Sequence, residues 1–171
     1  MHYHKLIMDA LTCINTRYSC RSFRSDPVPR ELLEQLIDAG RRAPSARKEE
    51  PIDFIIVTDP STRAYIAELT NYGKFIAEAG ACIVVVSKET PYYLEDGCIA
   101  AENILLAATA LGLQSCWVAG DKKPYANDIV VKLSAPIGHK LIALLAVGYA
   151  QIPGHQPQRR PLDRVLHWDK W

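Results

Sequence analysis

Arg17, Ser19 and Arg21 occupy alternate positions in the segment Arg17-Tyr18-Ser19-Cys20-Arg21-Ser22-Phe23. Alternate side chains of an extended chain point to one side, so both guanidiniums and the hydroxyl between them would share a face. At roughly 3.3 Å per residue the two arginines stand about 13 Å apart. A guanidinium presents a planar fork of donors that matches phosphate oxygens in pairs. The pattern could therefore follow a phosphate and the polyol chain attached to it. A solvated loop with two surface arginines has the same spacing, and spacing alone favours that plainer alternative.

Three further segments carry chemistry-bearing residues. Arg41-Arg42-Ala43-Pro44-Ser45-Ala46-Arg47-Lys48-Glu49-Glu50-Pro51 gathers four cations between a helix end and a buried strand, where ligand loops often lie. It could form an anion pocket or a surface laced by Glu49 and Glu50. Gly112-Leu113-Gln114-Ser115-Cys116-Trp117-Val118-Ala119-Gly120-Asp121 ends a strand in small residues, which let backbone N–H groups approach a flat ligand. An ordinary strand and turn would read the same way. Gln158-Arg159-Arg160-Pro161-Leu162 places two arginines late in the chain, where they could return to the same anion or simply face water.

Other chemistries lack their residues. The chain has no G-x-x-x-x-G-K, G-x-G-x-x-G, H-E-x-x-H or G-x-S-x-G. His2 and His4 form an H-x-H at the terminus, which is a poor metal site on its own, and no metal is expected. The five cysteines are odd in number and contain no C-x-x-C, so neither a disulfide framework nor a zinc site is expected. Buried small hydrophobes in a reducing cytoplasm fit them better. Twenty basic and nineteen acidic residues leave a charge of +1, against a nucleic-acid binder that must displace counterions. The N-terminus does not resemble a signal peptide. Residues 103–120 are uncharged, but Asn103, Thr109, Gln114 and Ser115 make them a poor membrane span.

The elements that must position these groups are legible from periodicity. Ile7, Ala10, Leu11 and Ile14 predict an amphipathic helix ending near Arg17, and Leu32, Leu33, Leu36 and Ile37 a second one after Pro29. Strands are predicted over 52–58, 81–87, 113–119 and 141–149. Helices are predicted from Asp59-Pro60 to about Leu69, over 96–111 with Gly112 ending it, and over 124–133, with a further turn at 74–79. No linker or repeat is visible, and 171 residues suit one domain, 1–171, with an extension from about 151. The alternation implies α/β or α+β architecture, leaving strand order open.

Taken together, the segments resemble the FMN-dependent nitroreductase family. Its early R-x-S-x-R-x-F is matched by Arg17, Ser19, Arg21 and Phe23. Its A-P-S-x-x-N-x-Q-P loop is partly matched by Ala43, Pro44, Ser45 and Pro51. Its G-L-x-S-C-W strand is matched from Gly112 to Trp117, and its closing elements by Gly148-Tyr149 and Arg159 to Leu162. The resemblance covers nearly the whole chain.

The resemblance implies an α+β fold, with a mostly antiparallel central sheet flanked by helices, in an intertwined homodimer holding FMN at the subunit interface. It gives the FMN phosphate and ribityl chain to Arg17, Tyr18, Ser19 and Arg21, with Arg159 and, beside it, Arg160 gripping the same phosphate. Pro44, Ser45 and Ala46 would border the flavin of the neighbouring subunit. Backbone groups of Val118, Ala119 and Gly120 would approach the ring near N5 and O4.

Two departures matter. Lys48 stands where the family has a ring-bonding asparagine and Glu50 where it has glutamine, so Lys48 could steady negative charge on the reduced ring or merely pair with Glu50. Ile52 replaces an aromatic that often follows the loop proline. No side chain is expected to act as a nucleophile or proton donor. The implied activity passes electrons from NAD(P)H to nitroaromatics, quinones or similar small acceptors in ping-pong fashion, within an open pocket because residues 87–96 leave little room for a lid. The alternatives are a specialised flavoenzyme, such as a dehalogenase, and an FMN-binding module without turnover.

Overall fold

The structure, a computed structural model, describes residues 8–171, so the expectations that rest on His2, His4 and Ile7 lie outside the described residues. Helix α1 (Ala10–Thr16) opens at Asp9, whose carboxylate accepts the Thr12 N–H at 3.1 Å and satisfies one of the free amides of the first turn. The helix buries Cys13 and leaves Leu11 and Ile14 exposed at 70% and 49%. The predicted apolar face is therefore present but is left uncovered by the described residues.

Helix α2 (Arg30–Arg41) buries Leu33 and Leu36 and closes on Gly40, where a Cβ would lie 2.9 Å from the Ile104 side chain. Strand β1 (Ile52–Val57) leads to α3 (Pro60–Leu69), capped by Asp59 with proline in its first turn. A single 3₁₀ turn (Lys74–Ala77) precedes β2 (Ala81–Lys88). Helix α4 (Tyr93–Ala110), β3 (Gln114–Ala119), α5 (Ala126–Lys132) and β4 (His139–Gly148) follow.

The four strands form one sheet in the order β1-β2-β4-β3, with every neighbouring pair antiparallel. The central strands β2 and β4 are nearly continuous apolar runs because both sheet faces are covered. One face packs Leu33, Leu36 and Ile104 of α2 and α4 against Ile83 and Leu145. The other packs Ile66, Ile76 and Ile129 against Val84 and Leu144. Each such side chain, fully buried, contributes about 1.5–3 kcal/mol of transfer free energy. The chain is thus α+β, with helices on both sides of an antiparallel sheet.

Helix α4 starts three residues before the predicted Asp96, and Glu95 and Asp96 then sit in its first turn, where the helix dipole favours them. Only residues 89–92 connect β2 to α4. After β4 the chain runs back along the segment that follows α1. Phe23 and Ala150 form an antiparallel bridge, and the Gln151 N–H donates to Ser22 O at 3.0 Å. Among the described residues no helix is long and apolar enough to cross a membrane.

Candidate active site

Helix α1 stops at Arg17, which turns extended (φ −57°, ψ 132°) while its N–H still donates to Cys13 O at 2.9 Å. The chain then lies beside β3. Ser19 bridges Ser115 in parallel, and the Cys20 N–H donates to Ser115 O at 3.0 Å. Cys20 and Phe23 are buried in the core, which fixes the segment and leaves Arg17, Ser19 and Arg21 on its open side.

Those three residues line one cleft of about 480 Å³ together with Tyr18, His155, Pro157 and Arg159. The chain's two ends thus build a single cavity wall. Arg160, expected beside Arg159, is not among the lining residues. The cleft is cationic. Among the described residues Arg17 has one carboxylate neighbour, Glu102, at 3.7 Å, and Arg21 donates to the Ser19 carbonyl at 3.4 Å. Arg159 forms no ion pair among the described residues. Guanidiniums stay charged at any ordinary pH, so the donor set (three forks and a hydroxyl) has the chemistry of a phosphate site.

Arg21 also lines a second cleft of about 310 Å³, so the two adjoin. Val118 and Ala119 at the end of β3 form part of its wall, with Asn71, Tyr72, Phe75, Trp117, Lys123 and Tyr125 around them. The Tyr125 hydroxyl donates to Ala119 O, holding the strand end against the following loop. Flat apolar and aromatic walls with a few polar groups suit a planar ring.

Gly120 does not line either cleft. A Cβ there would meet Leu141 Cγ at 2.6 Å and Ile142 backbone atoms at 2.9 Å, and its N–H is spent on Ile142 O at 3.1 Å. Its glycine is required by packing on β4, and its amide is not free for a ligand.

The loop with Pro44, Ser45, Ala46 and Lys48 lies apart. Pro44 and Ser45 border a separate cavity of about 110 Å³ with the buried Asp96. Ala46 N–H donates to Asp96 Oδ1 at 3.0 Å and Glu50 N–H to Ser45 Oγ at 3.1 Å. Arg47, Lys48 and Glu50 have φ of 56°, 58° and 46°, left-handed values that cost roughly 1–2 kcal/mol apiece for such residues. These anchors hold the loop in a strained, fixed shape. Lys48 is exposed and makes no ion pair with Glu50 among the described residues, so the expected alternative of a Lys48–Glu50 pair is absent.

Two of the buried cysteines, Cys82 and Cys116, are chemically quiet. Burial pushes the Cys82 thiol to about 12 and raises that of Cys116, where nearby Arg21 and Ser19 only partly oppose it. Neither is a thiolate near neutral pH. Tyr93 is raised by its hydrogen bond to Asp121, at 2.9 Å. Sequence reasoning missed Asn71, Tyr72, Phe75, Lys123, Tyr125 and His155. They stand in loops and turns outside any motif, and only the tertiary fold brings them to the clefts.

A family model described as "Putative TM nitroreductase" matches residues 9–171. A "Putative NADH dehydrogenase/NAD(P)H nitroreductase" of Methanothermobacter thermautotrophicus is 32% identical, over 96% of this chain and 88% of its own length. Among solved structures, a protein of the same description from Bacteroides thetaiotaomicron superposes with a TM-score of 0.89 at 27% identity, covering 95% of this chain and 98% of that one. An FMN-dependent nitroreductase of Clostridium difficile shares the fold, with a TM-score of 0.87 at 24% identity over 94% and 99% of the two chains. Sequence and fold agree, and the chain belongs to the nitroreductase family of oxidoreductases.

Proposed function

We propose that the protein is an FMN-dependent oxidoreductase that passes electrons from NADH or NADPH to nitroaromatics, quinones or similar electron-poor acceptors. One observation carries the proposal: Arg17, Ser19, Arg21 and Arg159, from opposite ends of the chain, line one cleft that adjoins a flat-walled one at Arg21. A phosphate in the first and a planar ring in the second would be joined by a short polyol, which is the shape of FMN. Bound there, FMN would supply the redox chemistry between nicotinamide and acceptor.

The chain's residues bind and orient. The guanidiniums neutralise the phosphate, and the walls formed by Val118, Ala119 and Phe75 keep water from one side of the ring. Donor and acceptor would use the same open side in turn, so turnover should be ping-pong. Residues 89–92 are too few for a long lid, which supports a permissive pocket.

A homodimer completes the site. The loop with Pro44, Ser45, Ala46 and Lys48 is rigid and lies apart from its own chain's arginine cleft. Leu11 and Ile14 of α1 and Ile99 of α4 form exposed apolar surface on packed helices, suited to a second copy. In that dimer the loop would border the partner's flavin. Five unpaired cysteines suit a reducing compartment such as the cytoplasm.

The test is anaerobic spectroscopy of purified protein. It should be yellow, bleach on adding NADH or NADPH, and regain colour with a quinone or nitroaromatic. Yellow protein that resists both nicotinamides would instead be a binding module. Colourless protein that refuses added FMN overturns the proposal.

A further inference from the structure

A further cleft, which the proposed function leaves unused, adjoins the flat-walled one. It measures about 560 Å³, more than either cleft of the flavin site, and shares Lys123 and Pro124 with the flat-walled cleft. A ligand on the open side of the ring could therefore extend into it.

The turn between the two clefts holds its cations on a fixed backbone. The Gly120 and Asp121 N–H groups both donate to Ile142 O at 3.1 Å, and the Lys123 N–H closes the turn on Gly120 O at 3.2 Å. Lys122 takes the third position of that turn at φ 57°, where glycine or asparagine is usual and a lysine is strained. Such strain persists only where the surroundings impose it, and it gathers at ligand sites. Lys140, in the first turn of pairing of β4, adds another ammonium to the lining.

The two lining carboxylates are already engaged. Asp121 accepts the Tyr93 hydroxyl at 2.9 Å and stands 3.8 Å from Lys122, while Glu89 pairs with Lys140 at 3.4 Å. Lys123 forms no ion pair among the described residues. Three ammoniums against two carboxylates leave an excess of positive charge. The buried Val130 and Leu141 supply apolar wall and Tyr93 an aromatic one, and the Asn127 amide can both donate and accept.

We infer that this cleft takes the adenosine diphosphate half of the nicotinamide dinucleotide, its diphosphate held by Lys122, Lys123 and Lys140 and its adenine by Tyr93, Val130 and Leu141. This assignment rests on the FMN proposal above, which leaves the nicotinamide on the open side of the ring. Size decides against a small acidic acceptor, whose carboxylate would need one lysine and little room. A cleft of several hundred Å³ suits a ligand of nucleotide size. Lysines meet phosphate as point charges, so affinity for this half should weaken with salt.

The experiment titrates the full FMN-loaded protein with ADP by calorimetry. Alongside, it follows anaerobic flavin bleaching by NADH and by benzyl dihydronicotinamide, a donor without the adenosine half. ADP should bind, compete with NADH and leave the benzyl donor unaffected. Neither Lys122 nor Lys140 is buried, so both can be changed without disturbing the core. Lys122→Gln/Lys140→Gln should weaken ADP binding, and raise the NADH concentration for half-maximal bleaching, about three- to tenfold with the benzyl donor unchanged. Glu89→Gln removes an opposing carboxylate and should shift both values the other way. Protein that bleaches with NADH yet binds no ADP, or a double variant that binds ADP as wild type does, overturns the assignment and leaves the flavin site standing. ADP that slows the benzyl donor as much as NADH would sit at the ring, which also overturns it. Protein that takes up no FMN overturns both.

Discussion

Asp96 Oδ1 accepts the Ala46 N–H at 3.0 Å, tying the first turn of α4 to a loop fifty residues earlier in the chain. The carboxylate is buried, so this bond satisfies a group that would otherwise be costly to desolvate. It also pins a loop that holds three residues at positive φ. Asp96→Ala should lower stability by about 1–3 kcal/mol, the usual cost of stranding a buried hydrogen-bond partner. Asp96→Asn, which can still accept from Ala46, should lose less. Urea denaturation measures both, and an alanine variant with the parent midpoint would show that the bond holds nothing.

The guanidiniums that line the cleft should matter alike, and more than that of Arg160. Arg17→Ala, Arg21→Ala and Arg159→Ala should each weaken FMN binding by about 1.5–3 kcal/mol, roughly 10- to 150-fold, as expected for losing charged hydrogen bonds. Arg160→Ala should have a much smaller effect, because Arg160 does not line the cleft. Titrations of the four variants decide this, and an equal loss at Arg160 would contradict the geometry.

Gly154 is required where the tail crosses Tyr18. In Gly154→Ala the new methyl would lie 2.3 Å from Tyr18 Cε2 and 2.9 Å from Cζ, and a ring cannot yield as a flexible side chain can. The tail should lift, carrying His155 and Arg159 away from Arg17. FMN affinity should fall and proteolysis near residues 153–158 should quicken. Unchanged values of both would mean that the tail tolerates the displacement.

Asp59 sets a distinct acid response. Hydrogen bonds from Ser61 and then Thr62 pull its carboxyl to about 2 at the N-terminus of α3. A depressed folded-state pKa means stability that is present above the unfolded value of about 3.9 and lost as pH falls toward 2. Asp59→Asn still caps a helix but cannot titrate. Stability measured against pH should therefore be flatter for Asp59→Asn than for wild type between about pH 4 and pH 2. Parallel curves would rule the contribution out.

The sheet was legible because residues 81–87 and 141–148 are apolar at nearly every position, a pattern stable only with both faces covered. The order β1-β2-β4-β3 was not, since pairing joins segments far apart in sequence. The early start of α4 escaped notice because Tyr92 makes no capping bond and leaves no signal. In the site, the Arg17-Ser19-Arg21 alternation was readable because one strand orders it. His155 and Tyr72 were not, since each reaches its cleft only through tertiary packing. Leu11 and Ile14 have the helical spacing of a core face, yet the described residues do not cover them. Periodicity reveals that a face seeks cover, without saying which chain supplies it.

The sharpest measurement compares FMN with riboflavin binding to the unmodified protein by calorimetric titration. The two ligands share ring and polyol and differ only in the phosphate. Two or more charged hydrogen bonds to that phosphate should make FMN at least about 100-fold tighter. Equal affinities would mean that the arginines from the two chain ends hold no phosphate.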